Sequence, residues 1–224
     1  MSTGRDTTGI PTAGVPATGV PSKARGDAKR RAVVQAATRA FVTQGYEATS
    51  MDAIAADAGV SKRTVYNHFP GKRDLFRAVV AGLYEGLNVA ESDRLAPDQP
   101  PETVLPAFTR ELLTHMRRPE VKGLLRLVIA EHQRFPDLAE DYLKEGKSRA
   151  VALLETYIAS QHARGRLNAP NPATVASQYL GGVKEVMFWP TMLGLPVTAD
   201  DETVIADAVG QLMRAYGVTR QTNP

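Results

Sequence analysis

Apolar residues recur along this chain every three or four positions, which is the period of an α-helix. The final segment shows this most clearly, with one stripe formed by Val204, Ile205, Ala208, Val209, Leu212, Met213 and Tyr216. No segment of useful length alternates apolar and polar residues, as a half-buried strand would. Similar stripes over 101–117, 120–134, 137–164 and 172–193, with four more before residue 90, bring the total to about nine helices. The pattern therefore predicts an all-α fold.

The first 80 residues contain four of these helices. One begins near Asp27 and stops near Gly45. The run TSMD then predicts a second, short helix with Thr49 as its cap and Asp52 reaching back to that cap. A fourth helix follows Pro70-Gly71 and begins with Lys72. The helices are short, and the connections between them are tight.

The second and third helices have the pattern of a helix-turn-helix unit, with Gly59 in the turn and Ser61 as the next cap. Val65 and Phe69, four residues apart, are expected to face inward. The opposite face of the third helix then carries Lys62, Arg63, Thr64, Tyr66 and Asn67. Two cations in an opening turn oppose the helix dipole at a cost of about 0.3–1 kcal/mol each. A partner with negative potential outside the chain would explain them.

This polar face is suited to the major groove of DNA. Arginine can bind guanine edges with two hydrogen bonds, asparagine can bind adenine, and threonine can contact the thymine methyl. Ser61 and the helix N-terminus offer donors to phosphate, and Lys72 is placed to bind phosphate as well. Three side chains in and next to the third helix also fit a purely structural role. Tyr66 could form the edge of the core, His68 could belong to the turn, and Lys72 could be a solvated lysine.

The distribution of charge agrees with a polyanion partner for this part alone. Residues 22–80 hold 11 Lys/Arg against 5 Asp/Glu, whereas residues 81–224 hold 15 against 18. A basic module joined to a mildly acidic body suggests nucleic acid as the partner of the module. A merely solvated basic face is the alternative on charge alone.

Several classes of protein are disfavoured by composition. The chain has no cysteine, and its four histidines lie in separate elements without metal-ligand spacing, so we expect neither a metal nor a cofactor. Motifs of phosphate-binding and nucleophilic enzymes are missing, and we expect no catalytic residues. The apolar stretch 175–197 is interrupted by Lys184, Glu185 and Pro190, which disfavours a membrane span. No secretion signal is evident, so we expect a cytoplasmic protein.

From about Ala28 to Val80, through the segment AFVTQGYEATSMDAIAADAGVSKRTVYNHFPGKRDLF, the sequence resembles the TetR/AcrR family of bacterial transcriptional regulators. The matching elements are Gly45-Tyr46, Thr49, Ala58 to Ser61, Tyr66 to Phe69, Lys72 and Leu75-Phe76. The resemblance implies that Lys62, Arg63, Thr64, Tyr66 and Asn67 read operator DNA. It also implies that Ser61, Tyr66, His68 and Lys72 anchor phosphate. Thr49 completes the predicted DNA-binding set.

The second half is similar to one branch of the family's ligand-sensing domains, over roughly residues 120–194. The similar segments are AEHQRFPDLAEDYLKEG and HARGRLNAPNPATVASQYLGG. This resemblance implies an effector pocket between helices and a dimer made by the last two. Candidate pocket residues are His115, Met116, Arg126, His132, Phe188, Trp189 and Met192. Plain core or surface positions remain the alternative for each of them.

The predicted organisation has three parts: a disordered arm over 1–22, a helix-turn-helix domain over 23–80, and an effector-binding and dimerisation domain over 81–224. Within the last part, residues 175–187 with the glycine pair Gly181-Gly182 form a predicted dimer seam, unless that pair serves packing inside one chain. The predicted function is a homodimeric repressor that leaves a palindromic operator when a small apolar or amphipathic effector binds. A fold-retaining adaptor and a small-molecule-modifying enzyme are the alternatives.

Overall fold

The computed structural model describes residues 22–89 and 95–218, and within these ranges the chain is all-α, as predicted. The helices are α1 Ser22–Gln44, α2 Met51–Asp57, α3 Lys62–His68, α4 Lys72–Val89, α5 Pro101–Met116, α6 Pro119–Glu131, α7 Pro136–Tyr142, α8 Ser148–Ala163, α9 Pro172–Met187, α10 Trp189–Met192 and α11 Asp201–Tyr216. A π-helical turn, Leu143–Lys147, joins α7 to α8. Apart from one isolated bridge between Leu167 and Gly217, the described residues contain no β-structure.

The eleven helices of the described ranges include all nine predicted segments, two of which are divided. The segment 137–164 contains α7, the π-helical turn and α8. The segment 172–193 breaks at Phe188, because Pro190 has no N–H with which to continue the hydrogen-bond ladder of α9. The sequence predicts a distortion at Pro190, and the structure confirms it.

The first helix begins earlier than predicted. It starts at Ser22 rather than near Asp27, so the predicted arm 1–22 overlaps α1 by one residue and otherwise lies outside the described residues. At its other end α1 stops at Gln44, where Gly45 adopts a positive φ of 85°. That backbone conformation strains any residue with a side chain, which explains the position of the stop.

Helices α1 to α3 pack around an aromatic centre. Phe41 and Phe76 are fully buried, with ring centroids 5.8 Å apart, and the Tyr46 ring stacks on Phe41 at 5.6 Å. Val65 and Phe69 are buried below α3, as their spacing predicts. The interior faces of these short helices are thereby held to one core.

Helix α4 belongs to both predicted domains. It runs from Lys72 to Val89, so the predicted boundary between residues 80 and 81 falls inside it. Its first half completes the aromatic centre through Phe76, and its second half places Tyr84 against Tyr142 at the end of α7. A displacement of α4 therefore changes contacts in both domains.

The π-helical turn meets α4 at a residue without a side chain. A Cβ atom added to Gly146 would lie 2.7 Å from two ring carbons of Tyr84. This distance is shorter than a non-bonded contact allows, so Gly146 is what permits the approach of the two elements. None of the helices in the described ranges is long and apolar enough to cross a membrane.

We expect Gly146→Ala to lower the free energy of unfolding by about 1–3 kcal/mol, because the new methyl group must displace the Tyr84 ring. The matched control is Gly82→Ala, in the same helix as Tyr84, where an added Cβ would meet Val34 at an ordinary 3.8 Å. This control should be neutral, or stabilising by up to about 1 kcal/mol through helix propensity. Urea unfolding of both variants measures the difference, and equal stabilities would contradict the close approach.

Candidate functional site

The polar face predicted for α3 is present and exposed. Ser61 caps the helix, its hydroxyl oxygen accepting a hydrogen bond from the Thr64 N–H at 3.1 Å. On the outer face, Lys62, Arg63, Tyr66 and Asn67 are exposed, while Thr64 and His68 are half-buried. Because Val65 is fully buried, this face cannot rotate inward. It presents charged, amide and phenol groups on one short element.

One of the two cations at the start of α3 has a partner inside the chain. The Lys62 ammonium group donates a hydrogen bond to the carboxylate of Asp52, in the first turn of α2. Asp52 therefore does not reach back to the cap of its own helix, as the sequence suggests it would. Part of the unfavourable charge at the start of α3 is compensated internally, and Arg63 has no partner among the described residues.

The predicted role of Thr49 is wrong. Ser50, not Thr49, is the N-cap of α2, and its side chain accepts from the Ala53 N–H at 3.1 Å. Thr49 is only 2% exposed, and its hydroxyl donates to the carbonyl of Gly45 at 2.7 Å. A buried side chain that already has its hydrogen bond cannot contact DNA. Because Thr49 and Ser50 are adjacent and both residue types can cap a helix, the sequence alone does not say which of them does so.

Lys72 lies at the start of α4, as predicted, but its ammonium group points into the protein. Its Nζ donates to the carbonyls of Tyr46, Glu47 and Thr49 at 2.8, 3.0 and 3.0 Å. These three bonds match the three N–H groups of an ammonium. Nζ also lies 4.6 Å from the centroid of the Tyr46 ring. Burial lowers the pKa of Lys72, an effect that Glu131 opposes.

A cavity of about 250 Å³ lies between the helices of the larger domain. It brings together four of the predicted pocket residues, His115, Met116, Phe188 and Trp189. Sequence reasoning missed the rest of the lining, which comes mainly from α4, α5, α6 and α7: Tyr84, Phe108, Leu112, Val121, Leu125 and Tyr142 among others. Their apolar spacing identifies them as buried, but no local signal distinguishes cavity lining from core.

Three predicted pocket residues lie elsewhere. Arg126 is exposed and donates to the backbone carbonyls of Thr191 and Met192. His132 has Nδ1 bonded to the carbonyl of Ile129 at 2.7 Å and does not line the cavity. Met192 is buried but does not line the cavity either. The prediction is therefore wrong for these three residues, because the geometry of α6 and α10 turns them away.

The polar end of the cavity is formed by His115, Tyr84 and Tyr142. The hydroxyls of Tyr84 and Tyr142 are hydrogen-bonded to each other at 2.7 Å, and the His115 ring lies 4.8 Å from that of Tyr84. Burial, with a smaller contribution from Arg118, lowers the pKa of His115 to about 4. The imidazole is therefore neutral at pH 7, and this end of the cavity is polar but uncharged.

Next to Tyr142, the carboxylate of Asp141 connects α7 to α4. It accepts from Arg73 Nε at 2.6 Å and from Arg77 Nε at 2.8 Å, although its side chain is only 3% exposed. Burial alone would raise the pKa of Asp141, but the hydrogen bonds and charges of the two arginines hold it below its ordinary value. We call this group of three residues the α4–α7 clamp. It joins the wall of the cavity to the beginning of α4.

Comparisons with known proteins agree with this geometry. A family model described as "Bacterial regulatory proteins, tetR family" matches residues 33–79. A second, described as "AefR-like transcriptional repressor, C-terminal domain", matches residues 103–218, more than half of the chain. The chain belongs to the TetR family. Members of this family are transcriptional regulators, so the exposed face of α3 lies in the DNA-binding module of such a protein.

Two solved structures and one curated relative illustrate the likeness. A protein of Mesorhizobium loti described as a TetR-family transcriptional regulator is 30% identical, with a TM-score of 0.75 and coverage of 87% of this chain and 99% of that one. The Flavonoid-responsive Regulator FrrA is 29% identical, with a TM-score of 0.71 and coverage of 84% and 97%. The HTH-type regulator YhgD of Bacillus subtilis is 32% identical over 72 residues, which span 32% of this chain and only 38% of YhgD.

The position of Lys72 in this TetR-family module predicts an effect on stability. We expect Lys72→Met to lower the free energy of unfolding by about 1–3 kcal/mol, because three carbonyls lose a charged donor. Lys62→Met removes an exposed ion pair and should cost about 0–1 kcal/mol. Denaturant unfolding tests both variants. If Lys72→Met kept full stability and lowered only the salt dependence of DNA binding, the phosphate role predicted from sequence would stand instead.

Proposed function

We propose that this TetR-family chain is a dimeric repressor that binds a palindromic operator and leaves it when a small effector occupies the cavity. The observation that carries the proposal is the exposed polar face of α3 above buried Val65 and Phe69. Among the described residues, the side chains of Arg63, Tyr66 and Asn67 on this face have no hydrogen-bond partner, so the face is available to a partner outside the chain. Repression rather than activation is supported by the described function of the matching C-terminal family model. None of the similar proteins favours the enzyme alternative, and we propose the cytoplasm as the location.

Residues on this face would make two kinds of contact with DNA. Side chains that reach base edges distinguish base pairs, whereas contacts to phosphate add affinity without sequence preference. Arg63, exposed and unpaired among the described residues, and Asn67 are suited to guanine and adenine edges. Ser61, Tyr66 and His68, at the ends and side of α3, would anchor phosphate.

The central test is selection of bound fragments from random duplex DNA by the full chain. We expect enrichment of an inverted repeat, because a two-fold symmetric dimer binds two half-sites. Failure to enrich any inverted repeat would contradict the proposed function as a whole.

We expect Arg63→Ala to weaken binding to the selected operator by about 1–3 kcal/mol of binding free energy. The same substitution should change the binding free energy on a scrambled duplex only slightly. The reason is that a bidentate arginine contact recognises one base pair, and only the operator carries it in register. Fluorescence anisotropy at several salt concentrations measures both affinities. Equal weakening on the two duplexes would make Arg63 a phosphate contact.

The proposed dimer forms through α9 and α11. Between these helices lies a surface groove of about 530 Å³, lined by Gly182, Val186, Ala208 and other residues. Apart from the chain neighbours and the backbone of α9, no atom of the described residues lies within 4 Å of a Cβ placed on Gly181 or Gly182, which speaks against the alternative that the glycine pair serves internal packing. An open glycine pair allows the close approach of a second helix. Two half-sites bound together then gain affinity from effective concentration.

We expect Val186→Asp to convert the dimer to a monomer and to weaken operator binding, because it places a charge in the proposed seam. Val186 is 42% exposed in one chain, so the monomer fold should tolerate the change. The control is Ile129→Asp, at a 49% exposed position on α6 outside the groove. Light scattering gives the oligomeric state of each. A Val186→Asp protein that stayed dimeric would place the interface elsewhere.

The effector would act through α4. The cavity includes Tyr84 of α4 and Tyr142 of α7, and the α4–α7 clamp follows directly along the same seam. A molecule that separates these helices would move the start of α4, where Lys72 holds the loop before α2. FrrA, similar in fold, is described as flavonoid-responsive, which supports an aromatic or amphipathic effector here.

A further inference from the structure

One polar atom of a residue that lines the cavity has no hydrogen-bond partner. Nε2 of His115 is the single side-chain nitrogen or oxygen of the described residues that is both buried and unpartnered. His115 is only 7% exposed, and it lines the cavity. Leaving a buried polar atom unpaired is unfavourable, and native proteins usually avoid it. An unpaired nitrogen on a residue that lines a cavity suggests that its partner is a bound molecule.

The surroundings of this atom define the chemistry of such a molecule. The described lining is mostly aliphatic and aromatic, and it contains no carboxylate. Lys184 is the cation of the lining, and it has an interaction of its own. Because burial keeps the imidazole neutral, with a pKa of about 4, His115 offers no charge to a bound anion, and an anion beside it would be desolvated among mainly apolar side chains. The cavity is therefore suited to an uncharged molecule.

A volume of about 250 Å³ lies just below the roughly 300–1,000 Å³ typical of sites for drug-sized ligands. The occupant must then be small, such as one ring with a short alkyl tail. Trp189 and Phe188, tilted at 60° with centroids 5.6 Å apart, offer aromatic surface to it.

We propose that the cavity binds an uncharged, mainly apolar molecule with one hydroxyl group, and that this hydroxyl hydrogen-bonds to Nε2 of His115. The proposal rests on the proposed effector function and names its ligand class. A hydroxyl group suits His115 in either neutral tautomer, because it can donate to a bare Nε2 or accept from a protonated one. An ether or a ketone can only accept, and a hydrocarbon can do neither.

The neighbouring tyrosine pair adds a second contact for the same hydroxyl. In the Tyr84–Tyr142 hydrogen bond one hydroxyl donates, so the accepting tyrosine keeps its own O–H proton for a further acceptor. A bound hydroxyl could accept that proton while it contacts His115. The hydrogen bond between Tyr84 and Tyr142, which links α4 to α7, would then be extended to the bound molecule.

The test uses para-butylphenol and its methyl ether, para-butylanisole, as matched probes for the full-length protein without DNA. Isothermal titration calorimetry should show the phenol binding about 10-fold more tightly than the ether, since the ether leaves one hydrogen bond unmade. The para-butylbenzoate anion should bind more weakly than the phenol. Equal affinities for phenol and ether, tighter binding of the anion, or no detectable phenol binding would each overturn the proposal.

Two variants separate the role of His115 from general damage to the cavity. In His115→Leu the preference for phenol over ether should fall to about 1-fold, while His115→Gln, which keeps a polar atom, should retain part of it. Preference retained in full by His115→Leu would overturn the assignment. If His115→Leu fails to fold by circular dichroism, the wild-type comparison and His115→Gln still decide.

The outcome is independent of DNA recognition. The calorimetric measurements need no operator, so their failure would leave an enriched inverted repeat, and the proposed function, intact. Conversely, a chain that enriched no operator but preferred the phenol would keep the site and lose its regulatory role. If the protein both enriches an operator and prefers the phenol, para-butylphenol should weaken operator binding of the wild-type protein and not that of His115→Leu.

Discussion

The carboxylate of Asp141, buried between Arg73 and Arg77, is the contact on which the arrangement of the two domains depends. A buried charge is strongly unfavourable unless it is paired and hydrogen-bonded, so the two guanidinium groups and the carboxylate must stay together. Since both arginines lie on α4 and the carboxylate lies on α7, the clamp sets the position of one helix against the other. The helix-turn-helix module is oriented by α4 together with the packing of α1 on α6, and α7 contributes to the wall of the cavity.

Helix α4 therefore makes different contacts at different points along its length. Its first residue, Lys72, binds the three carbonyls that precede α2, and so fixes the module that presents α3. Its later residue Tyr84 packs on Gly146 at one side and borders the cavity at the other. A small ligand could influence DNA binding without any contact to the module, because these sites lie on one rigid element.

The parts of this structure that the sequence predicts are those set by neighbouring residues. The stop at Gly45, the turn at Gly59, the cap at Ser61 and the inward face of α3 follow from local rules, and all four are present. The contacts that the sequence does not show have a different origin. The carbonyl partners of Lys72 lie 23 to 26 residues away and leave no local signal, so the sequence does not show these bonds, and the phosphate contact of Lys72 stays a prediction.

The contacts around the cavity also leave no local signal, because their partners lie even farther apart in the sequence. Asp141 pairs with arginines 64 and 68 residues away, and Tyr142 meets Tyr84 from 58 residues away. Helical periodicity identifies such residues as buried, but it cannot say which helices meet. Phe188 and Trp189 can be assigned to the cavity from sequence because Pro190 breaks a helix, which is a local event. Nothing local marks the side of α6 that faces the cavity, and the assignments on that helix fail for this reason.

The two cations that oppose the dipole of α3 differ in their surroundings. Lys62 is paired with Asp52, so its charge is partly compensated and its side chain is held at the edge of α2. Arg63 is exposed and has no partner among the described residues, so its unfavourable position is not compensated there. A long, flexible guanidinium without an internal contact is free to reach a base edge, whereas a lysine tied to a carboxylate must first give up that bond. The internal pair thus argues that sequence preference depends on Arg63 more than on Lys62.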